Sequence, residues 1–148
     1  MAAVERWVLD TNAVLDWLVF DDPGMRAAAA RLHAAQARWL HTRDMLDELD
    51  DVLGRPLLLR RAGAPAQALR QRVAAASAAH GGVVPPAARC RWHCDDADDQ
   101  MFVDLAAQAS PCWLFTRDKA LLALARAAAA AAAGVRIVRP ADWARGSA

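Results

Sequence analysis

The sequence predicts an α/β fold, a parallel sheet covered by helices on both faces. Three observations predict it. Short apolar runs at 7–9, 113–116 and 135–138 read as buried strands. Alanine- and leucine-rich stretches read as helices, Met25 to Ala37 being free of both glycine and proline. The two kinds alternate along the chain, the pattern of βαβ units.

Taken in order, Trp7-Val8-Leu9 is a strand that ends in the polar turn Asp10-Thr11-Asn12. A helix from Ala13 to about Phe20 stops at Asp21-Asp22-Pro23-Gly24. Met25 to Ala37 forms a second helix, and Arg38-Trp39-Leu40-His41 a weaker strand. Thr42 caps the next helix, which runs to about Gly54 and is closed by Arg55-Pro56. Ala64 to Ala79 is helical, ended by Gly81-Gly82, and Val83 to Pro86 is a short extended piece. Residues 87–95 read as irregular. A helix begins near Asp98 and ends at Ser110, before the strand Trp113 to Thr116. Lys119 to Ala133 is helical, Gly134 stops it, and the strand Val135 to Val138 ends at Pro140.

No composition shift, repeat or linker divides the chain, so one domain over residues 1–148 is expected. The formal net charge is only +1, which excludes a global basic field and confines any nucleic-acid contact to a local patch. Cys90, Cys94 and Cys112 do not form a disulfide framework and suit a reducing cytoplasm. The first ten residues lack the pattern of a secretory signal, and no uncharged apolar run reaches the roughly 18 residues that suggest a membrane span.

In an open parallel sheet, ligands bind beyond the carboxyl ends of the strands. Asp10 and Asp118 each follow a strand, so both carboxylates should project from that edge. One such aspartate is ordinarily a turn residue, but two at equivalent places suggest a site. Asp96 and Asp98 suit an acidic helix start. Asp99 does not, because it lies in line with the apolar stripe of Phe102, Val103 and Ala106. A carboxylate there is costly unless paired or bound to a cation. In the helix after Thr42, Glu48 and Asp50 flank the apolar face, and helix geometry alone does not choose between them. Asp44, Asp47 and Asp51 point to solvent. Carboxylates that converge at one edge repel unless a cation neutralises them. Mg²⁺ and Mn²⁺ prefer oxygen ligands and can activate water for attack on phosphate.

Leu9-Asp10-Thr11-Asn12 resembles the opening motif of PIN domains. The stretch from Glu48 to Pro56 resembles their second acidic motif, Asp96 to Ala106 the third, Thr116 to Leu122 the fourth, and Arg139-Pro140-Ala141-Asp142-Trp143 the closing segment. The resemblance implies a Rossmann-like three-layer sandwich with a central parallel sheet. It implies Mg²⁺- or Mn²⁺-dependent endoribonuclease activity, commonly that of a toxin in a toxin–antitoxin pair. RNA is then the substrate, and an antitoxin protein and a second copy of the chain are candidate partners. Metal-binding and catalytic acids fall at Asp10, Glu48, Asp99 and Asp118, with Asp96 as a further ligand or supporting acid. Thr11 and Asn12 match groups that orient the first acid, and Thr116 matches the hydroxyl that commonly precedes the last one. Arg117 and Lys119, with Arg55 and Arg60, are candidates for phosphate contacts. Met101 stands where this branch often has lysine, and Arg117 where glycine is usual.

A catalytically silent PIN scaffold that binds RNA or a protein is the alternative, and it predicts a missing acid. A dehalogenase-like phosphatase needs Asp-x-Asp after the first strand, and here the sequence is Asp10-Thr11-Asn12. Cys90, His93 and Cys94 lack the second ligand pair of structural zinc and read as small apolar residues and an incidental histidine. Trp92, next to the acidic cluster, reads as packing before base stacking.

Overall fold

The computed structural model describes residues 3–132 and 134–146. Five strands, β1 (Glu5–Leu9), β2 (Ala37–His41), β3 (Gly81–Val83), β4 (Cys112–Phe115) and β5 (Val135–Val138), form one sheet in the order β3-β2-β1-β4-β5. Every neighbouring pair is parallel. The chain moves outward from β1 to β3 on one side, then returns to start β4 on the other. The topological switch therefore lies between β1 and β4, the place where open α/β sheets bind ligands.

Side chains alternate across the sheet and divide the core in two. On one face Trp7, Leu9, Trp39 and Phe115 pack against four helices: α1 (Thr11–Leu18), α2 (Arg26–His33), α5 (Ala66–His80) and α9 (Pro140–Gly146). On the other face Val8, Leu114, Val135 and Ile137 pack against α6 (Gln100–Gln108), α7 (Lys119–Leu122) and α8 (Ala125–Ala132). Helix α3 (Arg43–Val52) contributes to both cores, Met45 to the second and Leu49 to the first. It brings Glu48 against the start of α1. Helix α4 (Pro56–Ala62) follows it. The three-layer α/β architecture is the one expected.

Local differences have identifiable causes. Pro56 does not merely close α3. It opens α4 at the first helical position, where its missing N–H and fixed φ suit a helix start. Pro140 opens α9 in the same way. The second helix stops at His33 rather than Ala37, because Ala35 takes φ 58° to turn the chain into β2, overriding the helix preference of alanine. The stretch from Lys119 divides at Ala123 and Leu124 into α7 and α8, and the expected terminus at Ala133 lies outside the described residues.

Gly81 ends α5 as its C-cap, its N–H bonding the Ser77 carbonyl, and with Gly82 it also opens β3. Close approach excludes a side chain there: a Cβ on Gly81 would lie 2.2 Å from the Trp39 carbonyl oxygen. Gly81→Ala must force β2 and β3 apart, and is expected to cost about 1–3 kcal/mol, the scale of overpacking. Urea unfolding measures it, and an unchanged midpoint would contradict this packing.

Candidate metal centre

The site is built from the two central strands outward. Asp10 follows β1 and caps α1, its Oδ1 accepting from the Ala13 N–H at 2.8 Å. Asp118 follows β4 and caps α7, its Oδ1 accepting from Ala120 N–H at 2.8 Å and Leu121 N–H at 3.2 Å. Each carboxylate thus spends one oxygen on its own helix. Thr116 links them. Its fully buried hydroxyl donates to Asp10 Oδ2 at 2.5 Å and accepts from the Asp118 N–H at 2.9 Å. Behind this bridge, Trp7 packs against Phe115 at 4.6 Å between ring centroids and edge-on against Trp143. The platform is held by a dense aromatic core.

The open choice on α3 falls to Glu48. Its carboxylate is half-buried and accepts from the Thr11 hydroxyl at 2.5 Å, so Thr11 holds the second acid and not Asp10, whose bonds come from Ala13 and Thr116. Asp50 turns away to an ion pair with Arg70 at 2.6 Å, and Asp51 pairs with Arg55 at 3.1 Å. Asp44 and Asp47 are exposed. Asn12 is exposed beside Thr11.

The third acidic segment forms a 3₁₀ turn, Ala97–Asp99, leading into α6. Asp96 caps that turn by accepting from the Asp98 N–H at 3.0 Å. Asp99 is half-buried, and its carboxylate takes no hydrogen bond among the described residues. Burial pushes its pKa up to about 7, assisted by the negative charges of Asp118, Asp96, Asp10 and Glu48. All five acids therefore share one electrostatic neighbourhood. Asp10 is pushed up to about 6, chiefly by burial, against the stabilising bonds from Thr116 and Ala13.

Among the described residues no group of three or more Asp, Glu, His or Cys side chains is arranged to hold a metal ion. The chemistry of the candidate donors, not their present arrangement, is that of a hard-cation site. The set is all carboxylate oxygen, and Asp99 lacks any other partner for its charge. Cys90, Cys94 and Cys112 are free, and His93 is exposed and bonded to Arg89. Trp92 is buried in the second core.

The cations are arranged less simply. Arg117 lays its guanidinium on Asp16, with Nε–Oδ2 at 2.9 Å and Nη2–Oδ1 at 3.0 Å. Lys119 and Arg60 are exposed. Sequence reasoning misses Asp16. Its signal is a carboxylate on the apolar face of α1, between Val14, Leu15 and Trp17, the same kind of signal that marks Asp99.

A pH dependence follows from the buried acids. A carboxyl whose folded pKa lies above its unfolded value of 3.8 binds more protons when folded, so stability falls as pH rises through that interval. Without divalent metal, raising the pH from 4 to 7 should remove about 2–3 kcal/mol through Asp10 alone. Asp99 adds a smaller, solvent-screened increment over a window reaching about 7. His41, held down to about 4 by burial, acts in the opposite sense over the same window. The check is therefore urea unfolding of the wild type and Asp10→Asn in EDTA at several pH values; a wild-type stability that does not fall relative to the variant as pH rises would contradict it.

A family model described as PIN domain matches residues 6–120. No curated protein and no solved structure matches the chain. The matched span runs from within β1 through β4 and includes all five candidate acids, and the chain belongs to the PIN-domain family, a family of nucleases.

Proposed function

We propose that the protein is a Mg²⁺- or Mn²⁺-dependent endoribonuclease, the toxin of a toxin–antitoxin pair. The observation that carries the reading is Asp99. A half-buried carboxylate without a hydrogen-bond partner, surrounded by four other acids at the switch point of a parallel sheet, is poorly placed for stability and well placed for a cation. Asp10, Glu48, Asp99 and Asp118 would hold the metal, with Asp96 as a further ligand. A bound divalent cation supplies activation of the attacking water and neutralisation of charge on the scissile phosphate.

The chain's own residues prepare that chemistry. Thr116 fixes the free edge of Asp10 while the first turns of α1 and α7 hold the opposite oxygens of Asp10 and Asp118. Thr11 holds Glu48 against α1. Lys119, one residue beyond Asp118, contacts substrate phosphate, with Asn12 at the same rim. Arg117 reaches phosphate only from its fork on Asp16. RNA is the proposed substrate, and an antitoxin and a second copy of this chain the proposed partners. The proposed location is the cytoplasm; no helix among the described residues is long and apolar enough to cross a membrane.

The test is cleavage of labelled RNA and DNA pools with Mn²⁺, with Mg²⁺ and with EDTA. RNA cuts that appear with either metal and vanish in EDTA are expected. A folded protein that binds Mn²⁺ and cuts neither pool would instead support a silent scaffold, with Met101 in place of lysine as the first residue to restore.

A further inference from the structure

The irregular stretch ahead of α6 is held by two side chains of that helix. Gln100 and Asp104 lie one turn apart and are both buried. Gln100 Oε1 accepts from the Cys94 N–H at 2.7 Å, and Gln100 Nε2 donates to the Trp92 carbonyl at 2.8 Å and to Asp104 Oδ1 at 2.8 Å. Asp104 Oδ1 also accepts from the Cys90 N–H at 3.0 Å. Two side chains thus satisfy three backbone groups of a segment that has no regular structure of its own, groups that would otherwise be costly to bury.

The placement of these bonds matters more than their number. The Gln100–Cys94 bond closes the neck of the turn that carries Asp96 and Asp99. One end of the turn is Cys94, pinned by its N–H; the other is Gln100 itself. Inside the turn, the Asp98 and Asp99 N–H groups bond only to Asp96, which cannot fix the turn to the rest of the protein. Asp99 has no hydrogen bond to hold its carboxylate.

We propose that Gln100, backed by Asp104, is a positioning residue that staples this turn and aims Asp96 and Asp99 at the metal centre, an inference that rests on reading those acids as metal ligands. The chemistry specifies an amide. Gln100 must accept at one atom and donate at the other, and an ionised glutamate offers no donor. A carboxylate in its place would face the Trp92 carbonyl and the Asp104 carboxylate, so Gln100→Glu breaks the staple at nearly constant size. Asp104→Asn keeps an amide oxygen able to accept both bonds.

The experiment measures amide hydrogen exchange in the metal-free protein and Mn²⁺ affinity in the same variants. Gln100→Ala and Gln100→Glu should speed exchange at Asp98 and Asp99 by at least about tenfold while Trp7 to Leu9 stay protected. Their Mn²⁺ dissociation constants should rise about 10–100-fold, the scale for groups that orient ligands. Asp104→Asn should hold the exchange rates of that turn within about twofold. Unchanged exchange and affinity in Gln100→Glu would overturn the proposal, as would a loss of protection spread equally through β1, the mark of a merely structural role. Absence of Mn²⁺ binding by the wild type would remove the metal-centre reading, and the exchange rates would still decide whether Gln100 staples the turn.

Discussion

Asp10→Asn is expected to abolish RNA cleavage while making the metal-free protein more stable. The two effects have one cause. Asp10 is 3% exposed, and burial drives its pKa to about 6, so at a pH of about 7.5 the folded state holds an ionised carboxylate where a neutral group would be preferred. That charge costs about 3 kcal/mol relative to the unfolded chain. Asparagine removes the charge and keeps an oxygen for the Ala13 N–H, at the loss of about 1 kcal/mol where its amide meets the Thr116 hydroxyl. A net gain of about 1–2 kcal/mol should appear in urea unfolding at that pH with EDTA. Cleavage should fall by at least about 100-fold, because losing a ligand exceeds the effect of losing a group that merely orients one. A variant that is destabilised and still active would show that Asp10 serves the fold.

The second large effect is expected at Thr116. Its hydroxyl is the only side-chain link between Asp10 and Asp118 among the described residues. Thr116→Val keeps the shape and removes the link. The Asp118 N–H loses its acceptor and Asp10 loses a donor, which should cost about 1–3 kcal/mol. Metal affinity should drop about 10–100-fold as the Asp10 carboxylate turns more freely and the backbone that carries Asp118 loosens. Thr116→Ser retains the hydroxyl and should recover most of the affinity. Equal affinities in the Val and Ser variants would show that the hydroxyl does not position the acids.

Much of this site is legible in the sequence because strand ends are legible. Trp7-Val8-Leu9 and Trp113-Leu114-Phe115 are apolar runs, and parallel order places the acids that follow them on one edge. Asp99 is legible as a carboxylate in line with an apolar stripe. Thr42 caps its helix as its residue type predicts, accepting from the Met45 N–H at 3.4 Å. What escapes a reading of the sequence depends on partners distant along the chain. The Asp16–Arg117 pair joins residues 101 positions apart. Gln100 and Asp104 have a visible helical spacing, but the atoms they bind lie in an irregular segment whose path no periodicity reveals. Glu48 and Asp50 separate only through Thr11 and Arg70, which come from other helices. Proline is ambiguous in itself, since a residue that reads as the close of one helix is equally suited to begin the next, as Pro56 begins α4. Gly81 is legible as a helix stop, but its second role in β3 is not, because the Trp39 carbonyl that excludes a side chain there belongs to another strand.

The central claim is that the acids at the β1/β4 edge form a hard-cation site. Calorimetric titration of the folded wild type with Mn²⁺ near neutral pH, in two buffers of different ionisation enthalpy, tests it most directly. Binding should occur with release of protons, because Asp99 and Asp10, pushed up to about 7 and about 6, must be ionised to ligate. Asp10→Asn and Asp99→Asn should each weaken that binding by at least about tenfold. A folded wild type that binds no Mn²⁺, or binding that both substitutions leave unchanged, would contradict the account.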